Sequence, residues 1–302
     1  MKFTVPGNRR FSSSLAYSLW FVPASALLLA VVVYPVLRTI GLSVVHENLA
    51  TEFRTEFAGL DNFARLIADS RFHGSLWTTA VFTMVSVGAE FLVGLLLALS
   101  VHTMTRLRSP VRVICLLPWT LPTAVIAVLW TWIFNDQYGA LNALLLRVGL
   151  VDSPIAWLAQ PYMAMWAVIV ADVWKTAPFV FVILLAGLQN IPQDLYEAVE
   201  IDGGGAWAKF CHVTWPHLLP FAFVAGIFRI VQAFAIFDLV WVMTGGGPGG
   251  ATETVSIYTY QTYMRYLDFG YGSALVVATV TLMALAAAGL YRLLMTRYEQ
   301  IF

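Results

Sequence analysis

Charge is what this sequence has least of. Asp, Glu, Lys and Arg make up 11% of the 302 residues, 60% are hydrophobic, and the mean hydropathy is +0.77. A soluble chain carries roughly a quarter charged residues, so too few polar groups are present to cover a water-facing surface. The formal net charge of +0 leaves no electrostatic footprint for nucleic acid. Cysteine is nearly absent too: Cys115 and Cys211 stand far apart, without CxxC or Cys/His spacing, and read as packing residues. The histidines His46, His73, His102, His212 and His217 have neither metal-ligand spacing nor a nucleophile beside them, so no metal site is expected. No Gly-x-x-x-x-Gly-Lys-Ser/Thr loop occurs, and the glycine-rich stretch Gly245 to Gly250 lacks the lysine that would hold a nucleotide's phosphates. The chain is expected to hydrolyse no ATP itself.

What is abundant is long apolar runs. Six reach the ~20 residues that a spanning helix needs: Leu15 to Val45, Leu76 to Val101, Val111 to Phe134, Tyr162 to Leu188, Leu218 to Thr244 and Gly272 to Met295. The expectation is an all-α membrane protein, with a transmembrane domain over 15–296 between short termini, 1–14 and 297–302. Ala24-Ser25-Ala26 has the small-x-small form of a signal cleavage site, but the apolar run continues to Val45, which favours a retained first helix. With both termini in the cytoplasm, nine basic residues fall in inner segments (Lys2, Arg9, Arg10, Arg106, Arg108, Arg112, Lys209, Arg292, Arg297) against five outside (Arg54, Arg65, Arg71, Arg147, Arg265). That excess sets the expected orientation. The aromatics Tyr258, Tyr260, Tyr263, Tyr266, Phe269 and Tyr271 suit an interfacial belt or contact with an outer partner.

Between the fourth and fifth runs, residues 189–217 form a polar break with defined punctuation. Pro192 and Asp194 open a short helix and the glycines Gly203, Gly204 and Gly205 close it. The stretch Glu197-Ala198-Val199, then Gly203, then Val213-Thr214-Trp215-Pro216 resembles the Glu-Ala-Ala motif of importer-type ABC permeases. Val199, Val213 and Trp215 depart from that pattern by apolar exchange. The stretches Leu117 to Pro122, Asp172 to Phe179, and Phe237-Asp238 with Thr244 to Pro248 resemble the carbohydrate-uptake, maltose/trehalose-type branch of that family.

The resemblance implies a type I ABC importer permease fold of six transmembrane helices with a cytoplasmic coupling helix. It implies that Glu197 to Trp207, with Glu197, Ala198, Asp202, Gly203, Gly204 and Trp207 foremost, contact an ATPase. It further implies a second homologous permease, two ATPase subunits that bind the ATP and Mg, an extracytoplasmic sugar-binding protein, and a substrate path through Trp119, Thr123, Asp172, Lys175, Thr176, Phe179, Arg229, Ala233 and Ile236. Several amides and hydroxyls of the maltose site are replaced here, which argues against maltose itself.

The residues support a polar path independently. Ionisable groups inside a membrane cost a few kcal/mol each, and here they are Glu90, Asp172, Lys175, Arg229 and Asp238. Asp172 and Lys175, three apart, share a helix face on which they can pair. Lining a cavity and structural ion pairing are both open roles for Asp172, Lys175 and Arg229; Glu90 and Asp238 are expected to be structural polar residues between helices. Pro118, Pro122 and Pro178 are expected to break or kink their spans, as at transporter substrate sites. Two rival functions stand beside sugar import: carriage of a phosphorylated polyol, with Lys175 and Arg229 as anion clamps, and a membrane-embedded enzyme using Asp172, Lys175 and Glu90 as acid and base.

Overall fold

The computed structural model describes residues 21–298 except 51, 105 and 107. The expected terminus 1–14, the start of the first span (15–20) and residues 299–302 lie outside the described residues. The chain divides into two compact units: one holds the segment up to Ala68 with Thr262–Ala278, the other Asp69–Gln261 with the segment from Thr279 onward.

In the first unit, helix α1 runs Phe21–Leu42. Pro35 offers no amide to the carbonyl four residues back, and the helix widens into a π-turn at Leu29–Val33. An antiparallel hairpin follows, β1 (Val45–Asn48) with β2 (Glu52–Phe57), in which Val45 faces Phe57. Helix α2 (Asp61–Ala68) is tied to the hairpin by the buried Asn62, whose amide donates to the carbonyls of Ser43 and Val45 at 3.0 and 2.9 Å. Arg65 pairs with Asp268 at 2.8 Å and lies 4.0 Å over the ring of the buried Tyr271.

The second unit opens with α3 (Ser70–Thr103), capped by the Asp69 carboxylate accepting from the Arg71 amide at 2.9 Å. It continues with α4 (Arg108–Thr120), α5 (Thr123–Ile133), α6 (Ala140–Arg147), α7 (Pro161–Gln189), α8 (Gln193–Ile201), α9 (Ala206–Phe234) and α10 (Asp238–Met243). Helices α11 (Val255–Met264) and α12 (Phe269–Tyr298) each belong partly to both units. The most extensive packing joins α3 to α7. Gly94 permits it, since a Cβ there would lie 2.9 Å from the Val180 side chain; small residues at helix crossings let membrane helices approach closely. Two apolar clusters form along this seam, one around Phe82, Ile126, Val168 and Leu239, the other around Val101, Phe181, Leu184 and Leu218.

Among the described residues, five helices are long and apolar enough to span a membrane, and α4 with α5 makes a sixth span if that bent pair is counted as one. Several expectations need correction. The first span ends at Leu42, because Val45 enters β1; a two-stranded hairpin was not anticipated. The third span turns by 92° between Thr120 and Thr123, where Pro122 withholds its amide and holds Leu121 away from helical backbone. Pro178, by contrast, sits inside an uninterrupted α7. The fifth span ends at Phe234 rather than Thr244, and Ala235 to Phe237 separate it from α10. Tyr258 and Tyr271 are buried inside the protein rather than forming a lipid-facing belt, and Tyr260 packs against Phe237 and Trp241.

Candidate functional site

Three helices each bring one charged side chain to a common point between the two apolar clusters. Arg229 of α9 donates from Nε to Glu90 Oε2 at 2.5 Å and from Nη2 to Glu90 Oε1 at 2.8 Å, a two-pronged pair with α3. The same Nη2 reaches Asp172 Oδ2 of α7 at 3.3 Å, and Nη1 donates to Gln232 Oε1 at 2.8 Å. Ser86 Oγ lies 2.6 Å from Asp172 Oδ2 and 3.0 Å from Glu90 Oε1. Glu90, Asp172 and Arg229 are all buried. Such a cluster persists because each group's desolvation is offset by charge and hydrogen bonds together; with Arg229 so held, it is a clasp across α3, α7 and α9.

Asp172 does not pair with Lys175: it is taken by Arg229 and Ser86, and no carboxylate comes within ion-pair distance of Lys175 among the described residues. A guanidinium has five donors in a planar fork and can serve two carboxylates at once, so it displaces the single-point ammonium. The enzyme alternative loses its acid and base by the same arrangement, since Glu90 and Asp172 are both committed to Arg229.

Lys175 instead lines a cavity of about 280 Å³. Of the nine expected path residues, eight share this lining: Trp119 and Thr123 from either side of the α4/α5 break, Asp172, Lys175 and Thr176 from α7, and Arg229, Ala233 and Ile236 from α9 and the turn after it. Phe179 does not line it; it bridges Trp119 and Phe228, with ring centroids 5.9 and 5.1 Å away. The Thr176 hydroxyl donates to the Asp172 carbonyl at 2.6 Å, which leaves its oxygen free to accept. The 92° break presents the Trp119 indole and the Thr123 hydroxyl to the same space. Asp238, expected to be purely structural, is exposed and forms part of the wall together with Gln232 and Phe237. Gln232 and Phe237 were missed; the signal for Gln232 was its position three residues after Arg229, on the same helix face. The cavity combines hydroxyl, amide, carboxylate and ammonium groups with an aromatic face, which suits a ligand that both donates and accepts hydrogen bonds.

The segment after α7 forms the short helix expected there. Pro192 precedes α8, and Ile201 ends it. Gly203 takes φ +78°, its amide donates to the Glu200 carbonyl at 3.0 Å, and the Gly204 amide donates to the Val199 carbonyl at 2.8 Å. This is the Schellman termination, and it explains the glycine at that spacing. Glu197, Ala198, Asp202 and Gly203 are exposed, and Gly204 is half-buried. Lys209 pairs with Glu200, and Tyr196 Oη meets Thr214 Oγ1 at 3.1 Å, so the loop is braced internally. The most exposed of its large apolar side chains are Ile201, 87% exposed, and Trp207, 76%.

Residues 90–300 match the family described as binding-protein-dependent transport system inner membrane component. The trehalose/maltose transport system permease protein MalF of Thermococcus litoralis is 39% identical over 87% of this chain and 88% of its own length. The sulfoquinovosyl glycerol transport system permease protein SmoG of Agrobacterium fabrum is 37% identical over 92% and 90%. The crystal structure of a bacterial ABC transporter involved in the import of the acidic polysaccharide alginate has a chain of the same fold, with a TM-score of 0.80 at 21% identity over 94% of this chain and 96% of that one. The chain belongs to the inner membrane components of binding-protein-dependent transport systems: it is a multi-pass ABC importer permease subunit and not an enzyme.

Proposed function

We propose that the chain carries an uncharged glycoside of disaccharide size, and that the Trp119 to Asp238 cavity is half of the path, completed by a second homologous permease. The observation that carries this reading is the charge balance of the cavity. Arg229 is neutralised by Glu90 and Asp172, and Asp238 stands in the same wall as Lys175, so the cavity carries no surplus positive charge. An anion clamp needs surplus positive charge, whereas polar groups beside an aromatic face suit sugar hydroxyls. The names of MalF and SmoG, one a trehalose/maltose and the other a sulfoquinovosyl glycerol permease, support the sugar class.

The family supports the same reading for the rest of the machine. Two ATPase subunits close on ATP, push on α8, and open the cavity toward an extracytoplasmic sugar-binding protein; release of hydrolysis products returns it inward. The exposed Ile201 and Trp207 are the apolar surface that such a partner covers. Both termini lie in the cytoplasm by the excess of basic residues there, and the membrane is the bacterial or archaeal cytoplasmic membrane.

Competition uptake tests the substrate class. In proteoliposomes holding the whole complex with its binding protein, unlabelled trehalose is expected to compete with the transported solute and glycerol phosphate is not. Competition by glycerol phosphate alone would establish the phosphorylated-polyol reading instead.

A further inference from the structure

A second polar hollow lies in the same unit, at the other end of α10. Its volume is about 470 Å³, and it is lined by Arg71, Glu253, Gln261 and the glycines of the 245–250 loop. That is within the range of small-molecule sites. Gly245, Gly246, Gly249 and Gly250 have φ of +60, +92, +57 and +82°, a run of backbone that only glycine adopts freely. The result is bare main chain at the lip of the hollow, with no side chain in the way. The amides of Gly249 and Gly250 and the carbonyls of Gly245 and Gly249 have no hydrogen-bond partner among the described residues.

The side chains are prepared as well. Arg71 is bound to Glu253 through Nε at 2.9 Å and Nη2 at 2.7 Å, which cancels its charge. Its Nη2 also donates to Gln261 Oε1 at 2.6 Å. That bond fixes the Gln261 amide, whose NH₂ group has no hydrogen-bond partner among the described residues. The hollow therefore offers fixed donors and acceptors with no net charge, which selects a neutral polyhydroxyl ligand over an anion.

Its position gives it a role. Asp238 at the start of α10 lines the central cavity and Gly245 just past its end lines the hollow. Seven residues at 1.5 Å each put the two about 10 Å apart along the helix. The far side of the loop is fastened to both neighbours: Thr254 Oγ1 donates to the Ile236 carbonyl at 3.3 Å, and the Val255 amide donates to Thr79 Oγ1 of α3 at 2.9 Å. We propose that the hollow formed by Arg71, Glu253, Gln261 and the glycine loop is a second saccharide subsite, which receives the sugar before it reaches the central cavity. This rests on the sugar reading above.

Gln261→Glu isolates the claim, because it keeps the acceptor that Arg71 needs and removes the free NH₂ donor. Uptake of radiolabelled trehalose, maltose and sucrose, all uncharged, is measured with the complete complex and its binding protein in proteoliposomes. For the sugar that wild type transports, KM is expected to rise about fivefold, the loss of one hydrogen bond, with kcat and thermal stability unchanged. An unchanged KM overturns the subsite while leaving the sugar reading intact. Weaker docking of the sugar-free binding protein to the variant also overturns it, by giving the hollow to that protein. Wild type that transports none of the three sinks the sugar reading and the subsite with it.

Discussion

Arg229 and Glu90, 139 residues apart in sequence, meet through two hydrogen bonds of 2.5 and 2.8 Å with almost no solvent around them. The pair joins α9 to α3, and the 3.3 Å contact with Asp172 adds α7. Arg229 is thus spent on holding three helices together, while Lys175, on the same cavity wall, is not.

Removing Arg229 should therefore damage the fold before it damages transport. Arg229→Met leaves two buried carboxylates without a counter-charge, at a cost of about 3–5 kcal/mol. The expected outcome is a large drop in the thermal midpoint and poor recovery of monodisperse complex. The triple change Glu90→Leu, Asp172→Asn, Arg229→Met, which removes the whole cluster, should recover much of that loss.

Lys175→Met should do the opposite. Lys175 has no ion-pair partner among the described residues, so the midpoint is expected to hold while sugar uptake falls about tenfold or more, the loss of a charged hydrogen bond to substrate. Equal loss of assembly and uptake would assign Lys175 a structural role instead.

The α3 to α7 contact gives a packing test. Gly94→Val drives a side chain into Val180, whose atoms lie 2.9 Å from the Cβ position, and overpacking costs about 1–3 kcal/mol. Gly88→Ala on the same helix meets nothing within 4 Å and should leave the midpoint unchanged or slightly raised. Thermal unfolding of the purified complex reads both.

At the coupling segment, Ile201→Asp and Trp207→Asp place charges on the exposed apolar surface, the second also giving up the stacking of Trp207 on Phe210 at 5.6 Å. Each is expected to weaken ATPase retention on the complex about tenfold or more, in keeping with anchors of this type, while the permease pair stays folded. Gly203→Val acts differently, since φ +78° is strained for a β-branched residue. It should distort the end of α8 and lower the sugar moved per ATP. Co-purification reads the first effect and coupled uptake and hydrolysis the second.

Much of this was legible in the sequence because its causes are local. Pro192, Asp194 and Gly203 act within a turn or two of the helix they delimit, and the apolar runs of α3 and α7 are continuous. The Arg229 to Glu90 pair was not, since nothing near either residue marks a partner on another helix. The three-residue spacing offered Asp172 its neighbour Lys175, and tertiary packing supplied a better partner. Prolines were equally ambiguous: Pro122 ends a helix while Pro178 is carried inside one, because neighbouring helices decide whether a freed carbonyl is satisfied. Tyr258 and Tyr271 read as a lipid belt by type and depth, yet both are buried within the protein.

The central claim is that sugar sits between Trp119, Lys175 and Asp238. A single thiol at Thr123, in a chain whose Cys115 and Cys211 have been changed to Ser, reports on that space directly. Its labelling by a small maleimide is followed in the complete complex, with and without the sugar that the complex transports. Sugar is expected to slow labelling of Thr123→Cys at least fivefold, while a thiol on the outer wall of α5 at Val128, which is exposed away from the cavity lining, is unaffected. Labelling of Thr123→Cys at the same rate with and without transported sugar would contradict the account.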